Sequence, residues 1–118
     1  MTVLIVDDHA GIRRLLRLAL RDLTTEIWEC SDGCDALEIY KARRPDVVLM
    51  DVHMPRIGGL AATKQIRAFD EGASVIILTD DDDDALREAA IAAGAAAYLL
   101  KTDLLDLEQL IRSAISRG

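Results

Sequence analysis

Five short apolar runs punctuate the chain: VLIV at 3–6, EIWEC at 26–30, DVVLM at 46–50, SVIIL at 74–78 and AYLL at 97–100. Most are β-branched or leucine-rich without polar interruption, a pattern that predicts strands buried on both faces of a sheet. The stretches between them carry a helical period. In 10–23, Ile12, Leu15, Leu16, Ala19 and Leu23 recur at the spacing of one helix face, while Arg13, Arg14, Arg17 and Arg21 take the other side. The segment 34–43 repeats the pattern with Ala36, Leu37 and Tyr40, and 60–68 does so with Leu60, Thr63, Ile66 and Arg67 marking the turns. Segment 84–93 is alanine-rich, and 104–116 sets Leu104, Leu107, Leu110, Ile111 and Ile115 on one stripe.

Strand and helix thus alternate five times, which implies βαβ units with right-handed crossovers. The expected fold is α/β, a five-stranded doubly wound parallel sheet. In such sheets functional groups collect beyond the C-terminal ends of the strands. Reading those ends yields Asp7 and Asp8, Asp51, Thr79 and Lys101, whereas the second strand ends in Cys30-Ser31 and adds nothing comparable.

Composition narrows the class. The 118 residues are 51% hydrophobic with only 2 Pro and 7 Gly, as expected for one globular domain over 1–118. The formal charge of −7 argues against direct nucleic-acid binding by this domain and favours cations or cationic partners. No apolar run reaches membrane-spanning length, and no leader pattern precedes the first strand, so the expected location is the cytoplasm, without membrane contact. Cys30 and Cys34 read as reduced, at least half-buried thiols, since no zinc-ligand spacing accompanies them.

Three carboxylates at one sheet edge raise one another's pKa unless a cation joins them. Oxygen ligands select a hard ion such as Mg²⁺, which phosphate oxygens complete. A carboxylate flanked by such an ion, an ammonium and a hydroxyl suits formation of an aspartyl phosphate. Asp51 is the best-placed nucleophile, because it ends a central strand and precedes VHMPRIGG, where Pro55, Gly58 and Gly59 shape a loop over the pocket.

From VLIVDDH through VLMDVHMP, Gly59, ILT and AAAYLLK, nearly the whole chain resembles the receiver domains of bacterial two-component response regulators. The resemblance implies a flavodoxin-like (βα)5 fold with strand order 2-1-3-4-5. It implies Asp51 as phospho-acceptor, and Asp7, Asp8, Asp51 and the main-chain carbonyl of His53 around Mg²⁺, or Mn²⁺ in its place. Thr79 and Tyr98 match the switch pair and Lys101 the family's lysine. The implied partners are a histidine kinase or a histidine phosphotransfer protein, with a homodimer as a further assembly. VDDH and YLLKTD resemble the receivers attached to LuxR-type helix-turn-helix output domains, so control of transcription is the expected outcome, although no output domain is recognised within 1–118.

Two other classes stay open from sequence: an interaction module that uses the fold without phosphorylation, and an aspartyl-phosphate phosphatase, which would want an acid where His53 stands. The domain is otherwise expected not to be an enzyme beyond promoting its own phosphorylation and dephosphorylation. His9 reads as a loop residue, the arginine stripe as a solvated face, and Trp28 and Phe69 as packing. One departure from the family pattern is Asp80, where a small residue usually follows the switch threonine. Within the run Asp80 to Asp84, Asp80 and Asp81 are expected in the loop beside the pocket, where they would tune the switch, and Asp82 or Asp83 as the cap of the fourth helix.

Overall fold

The computed structural model describes residues 1–54 and 57–117. Its elements alternate as β1 (Thr2–Val6), α1 (Ala10–Leu20), β2 (Glu26–Cys30), α2 (Gly33–Arg43), β3 (Val47–Asp51), α3 (Gly59–Phe69), β4 (Val75–Thr79), α4 (Asp84–Ala92), β5 (Ala97–Leu100), a 3-10 segment (Lys101–Asp106) and α5 (Leu107–Arg117). The sheet order is β2-β1-β3-β4-β5, parallel throughout. The fold expected from sequence is the one observed.

The two-residue period of a strand divides each apolar run between two cores. Leu4, Val6, Val48, Met50, Val75 and Ile77 pack with Ala36 and Tyr40 of α2, Ala62 and Ile66 of α3 and Ala90 of α4. Val3, Ile5, Val47, Leu49, Ile76 and Leu78 pack on the other face with Leu16 and Leu20 of α1 and Leu107, Ile111 and Ala114 of α5. Helices cover both faces, which is why the central strands need no polar residue.

Several local expectations change. Helix α1 ends at Leu20, where the N–H groups of Leu23 and Thr24 both turn back onto the Leu20 carbonyl. Its buried ridge advances through Leu16 and Leu20, with Ile12 packed beside it, so Leu15 stands 49% exposed and Ala19 also faces out. Near the end of α5, Ala114 is buried whereas Ile115 stands exposed. The helical pattern that begins at Leu104 starts as 3-10 turns and becomes α-helical at Leu107.

Two loops are held by specific contacts. Asp32 is buried and accepts from the N–H of Cys34, capping α2, and from the N–H of Ile57, which ties that cap to the loop after β3. A Cβ on Gly59 would lie 2.0 Å from the carbonyl oxygen of Asp51, so only glycine lets α3 start against the end of β3. The expected contribution of Pro55 lies outside the described residues.

Candidate functional site

β1, β3 and β5 deliver their ends to one pocket. Asp51 is the last residue of β3, paired in register with Leu78 of β4, and is 4% exposed. Lys101 follows β5 directly, and its side chain, 7% exposed, places Nζ 3.0 Å from both Asp51 Oδ1 and Asp7 Oδ2. Asp7 is equally buried, and Asp8 beside it is partly exposed. These four side chains are the ones that the structure joins, and their formal charges sum to −2.

Burial raises the pKa of Asp51 most strongly; the hydrogen bond and charge of Lys101 oppose this, and the carboxylates of Asp7 and Asp8 add to it. Burial pushes Lys101 down, but its bonds and charges with Asp7 and Asp51 outweigh that, and its ammonium is held above the ordinary value. Apart from its ion pair with Lys101, Asp7 Oδ2 has no hydrogen-bond partner, and the buried Asp8 Oδ1 accepts no hydrogen bond. Asp7 Oδ2 faces Lys101 Nζ as an ion pair, and Asp8 Oδ1 faces His9 Nδ1 at 3.0 Å. Ligand atoms of Asp7, Asp8, His9 and Asp51 lie within 4.8 Å of one another. A surplus of carboxylate with a buried oxygen that accepts no hydrogen bond fits a divalent cation with oxygen ligands.

Thr79 ends β4, fully buried, in register with Leu100, the residue before Lys101. Its Oγ1 accepts from the N–H of Asp81 at 3.1 Å. The half-buried Tyr98 donates its hydroxyl to the Asp81 carbonyl, with the Arg87 guanidinium 5.3 Å from its ring centroid. The Asp81 carboxylate in turn lies 3.1 Å from Nε2 of His53, which is exposed in the loop after β3. One residue of the aspartate run thus touches Thr79, Tyr98 and His53. Asp83 is the cap of α4, accepting from the N–H groups of Ala85 and Leu86, and Asp80 is exposed.

Three arrangements were not legible in the sequence. Arg13 donates to the Asp7 carbonyl at 2.6 Å and to Glu29 on β2 at 3.0 Å, and Arg17 also pairs with Glu29. The basic face of α1 is therefore partly spent on holding the Asp7 turn. His9 is the N-cap of α1, yet its side chain caps nothing and instead meets Asp7 and Asp8. The adjacency of His9 to the acidic pair was a signal, but only the backbone angle at the cap aims the ring. The Asp81 bridge depends on loop geometry for which the aspartate run carries no code.

Residues 3–113 match the family described as the response regulator receiver domain. The chain is 39% identical to the chemotaxis protein CheY of Halobacterium salinarum over 99 residues, 84% of this chain and 82% of that one. It is 41% identical to the response regulator UvrY of Escherichia coli O157:H7 over 103 residues, 86% of this chain, and so spans 47% of that longer relative. Among solved structures it superposes on a LuxR-family two-component response regulator from Aurantimonas sp. SI85-9A1 with a TM-score of 0.91 at 31% identity, covering 98% of this chain and 85% of that one. No helix among the described residues is long and apolar enough to cross a membrane. With its fold, its acidic pocket and its sequence in agreement, the chain belongs to the response regulator receiver domain family.

Proposed function

We propose that the protein is a phosphorylation-dependent signalling switch that takes a phosphoryl group onto Asp51 from a histidine kinase or a histidine phosphotransfer protein. The observation that carries this reading is Asp51 itself: a buried strand-end carboxylate, held by the Lys101 side chain beside an Asp8 oxygen that accepts no hydrogen bond. Asp7, Asp8, Asp51 and the main-chain carbonyl of His53 would hold Mg²⁺, or Mn²⁺. When bound, that ion neutralises charge on the transferring phosphoryl oxygens.

A carboxylate oxygen of Asp51 attacks phosphorus, the P–N bond to the donor imidazole breaks, and the departing nitrogen keeps the electron pair. Lys101 is positioned to trade its contact with Asp51 Oδ1 for a phosphoryl oxygen. Thr79 already accepts from the Asp81 N–H, so its own proton remains for donation to the phosphoryl group. Drawing Thr79 toward the phosphate pulls on Asp81 and so on the hydroxyl of Tyr98, which would carry the event to the α4–β5 surface. The switch would act in the cytoplasm, as a monomer or homodimer, controlling transcription through a DNA-binding output domain or partner.

Incubation with Mg²⁺ and acetyl phosphate, followed by mass spectrometry, tests the proposal. One added phosphoryl group that Asp51→Asn abolishes is the expected result. Absence of an adduct with every donor and kinase tried would leave an interaction module, whereas turnover of many phosphate esters per chain would make the protein a phosphatase.

A further inference from the structure

The cation pocket has a fourth side chain that the oxygen-only ligand set omits. His9 Nδ1 lies 3.0 Å from Asp8 Oδ1 and 3.3 Å from Asp7 Oδ1, while the His9 N–H donates to Asp7 Oδ1 at 2.8 Å and pins the turn. The ring is 66% exposed, so it is free to exchange these contacts for others. It leaves the start of α1 uncapped at its own expense, although capping is what a polar residue at that position usually supplies. An exposed histidine-carboxylate pair contributes little stability in return.

The spacing suits a metal. Ligand atoms stand about 2.0–2.2 Å from a first-row dication, so two of them lie at most about 4.4 Å apart. The candidate atoms of Asp7, Asp8, His9 and Asp51 fall within 4.8 Å of one another, a few tenths of an ångström beyond that limit, which rotation of the exposed His9 ring can close. Asp8 Oδ1, buried and without a hydrogen bond, already faces His9 Nδ1, and Asp7 Oδ2 has only the Lys101 ammonium as partner. With its proton on the outward Nε2, the imidazole presents Nδ1 as a ligand.

We infer that His9 is a nitrogen ligand at this pocket, which makes it a site for a borderline transition dication of the Co²⁺, Ni²⁺ or Zn²⁺ kind as well as for Mg²⁺. The inference rests on the reading of the pocket as a cation site. Carboxylates alone suit Mg²⁺, whereas an added imidazole shifts preference along the first transition row. A transition dication bound with His9 would compete with Mg²⁺ for Asp7, Asp8 and Asp51, coupling the switch to metal supply.

Calorimetric titrations with Co²⁺ alone and Mg²⁺ alone, on the wild-type protein, His9→Ala and Asp51→Asn, test this. Loss of even an outer partner of a metal ligand typically costs about 10–100-fold in affinity, so His9→Ala is expected to weaken Co²⁺ at least about tenfold. Mg²⁺ affinity should stay within about twofold in that variant, which also shows that the pocket is intact, while Asp51→Asn weakens both ions. Spin-echo spectroscopy of the wild-type protein with Cu²⁺ should show a directly bound imidazole nitrogen. Equal losses for Co²⁺ and Mg²⁺ in His9→Ala, or none for either, would overturn the role of His9 while leaving the pocket standing. Failure of the wild-type protein to bind Mg²⁺ at all would overturn the pocket itself.

Discussion

The two ends of the sheet treat their carboxylates in opposite ways. At the end where α2 and α3 finish, Asp70 receives the Tyr40 hydroxyl at 2.7 Å, the Arg44 guanidinium at 3.0 Å and the Gly72 N–H at 2.9 Å. Phe69 stacks edge-on to Tyr40, and Arg44 covers the Phe69 ring at 4.7 Å. One carboxylate there meets three donors, and its pKa is lowered, chiefly by the Tyr40 hydrogen bond. At the other end three carboxylates meet a single ammonium that reaches only Asp7 and Asp51, the buried Asp8 Oδ1 accepts no hydrogen bond, and Asp51 is raised by burial. A satisfied cluster holds the fold together; an unsatisfied one holds free energy that a cation or a phosphoryl group can release.

The contrast breaks most sharply at Lys101. Removing one partner of a buried ion pair leaves uncompensated charge, so Lys101→Ala should destabilise the protein by about 3–5 kcal/mol in urea titrations without divalent ions. Added Mg²⁺ should restore part of that loss. If Lys101→Ala and the wild-type protein unfold at the same urea concentration, the ammonium is not compensating the carboxylates.

A smaller effect is expected at the satisfied end. Asp70→Ala deletes a carboxylate with three donors, for an expected loss of about 2 kcal/mol that Mg²⁺ leaves unchanged. The pH dependence of this cluster has a defined sign. Burial, then the hydrogen bond to Asp70, push the Tyr40 phenol up to about 12 from 10.0. Its contribution is therefore complete below pH 10 and is lost as the pH rises through about 12, a limb that Tyr40→Phe should flatten in melting temperatures. The contribution of Asp70, whose pKa is lowered from 3.8, is present above that value and disappears as the pH falls below it.

Relieving repulsion in the pocket should have the reverse sign. Asp8→Asn is expected to stabilise the cation-free protein by about 1 kcal/mol while weakening Mg²⁺, the usual exchange of function for stability. A melting temperature below that of the wild-type protein would show that the acidic pair is already compensated.

The smallest change in stability belongs to the aspartate run. Replacing Asp80 and Asp81 with Ala should alter stability by less than about 0.5 kcal/mol, since both are exposed, yet change the phosphorylation and dephosphorylation rates several-fold. Unchanged rates would reduce the contact between Asp81 and His53 to a solvated pair.

The strands were legible because both sheet faces are covered, so burial leaves an apolar residue at nearly every position of β1, β3 and β4. The register of α1 was not. Leucines at 15, 16, 18 and 20 support more than one apolar stripe, and only docking onto the sheet chose Leu16 and Leu20. The convergence of Asp7, Asp8, Asp51 and Lys101 followed from strand order, because parallel strands carry all their C-terminal ends to one side. The aim of the His9 ring, the Arg13 clamp on Asp7 and the bridge from Asp81 to His53 did not follow, since the first two depend on the backbone angles of the turn after β1 and the third on two loops 28 residues apart in sequence.

By itself, then, the sequence determined the alternation of strands and helices and the chemical types brought to one sheet edge, since periodicity and element order are local properties of the chain. Tertiary structure alone decided which helix face is buried, which carboxylate oxygen accepts no hydrogen bond and which single aspartate of five touches Thr79, Tyr98 and His53. The physical reason is that hydrogen bonding and charge compensation act over about 3 Å between side chains, a distance that no spacing along the chain encodes.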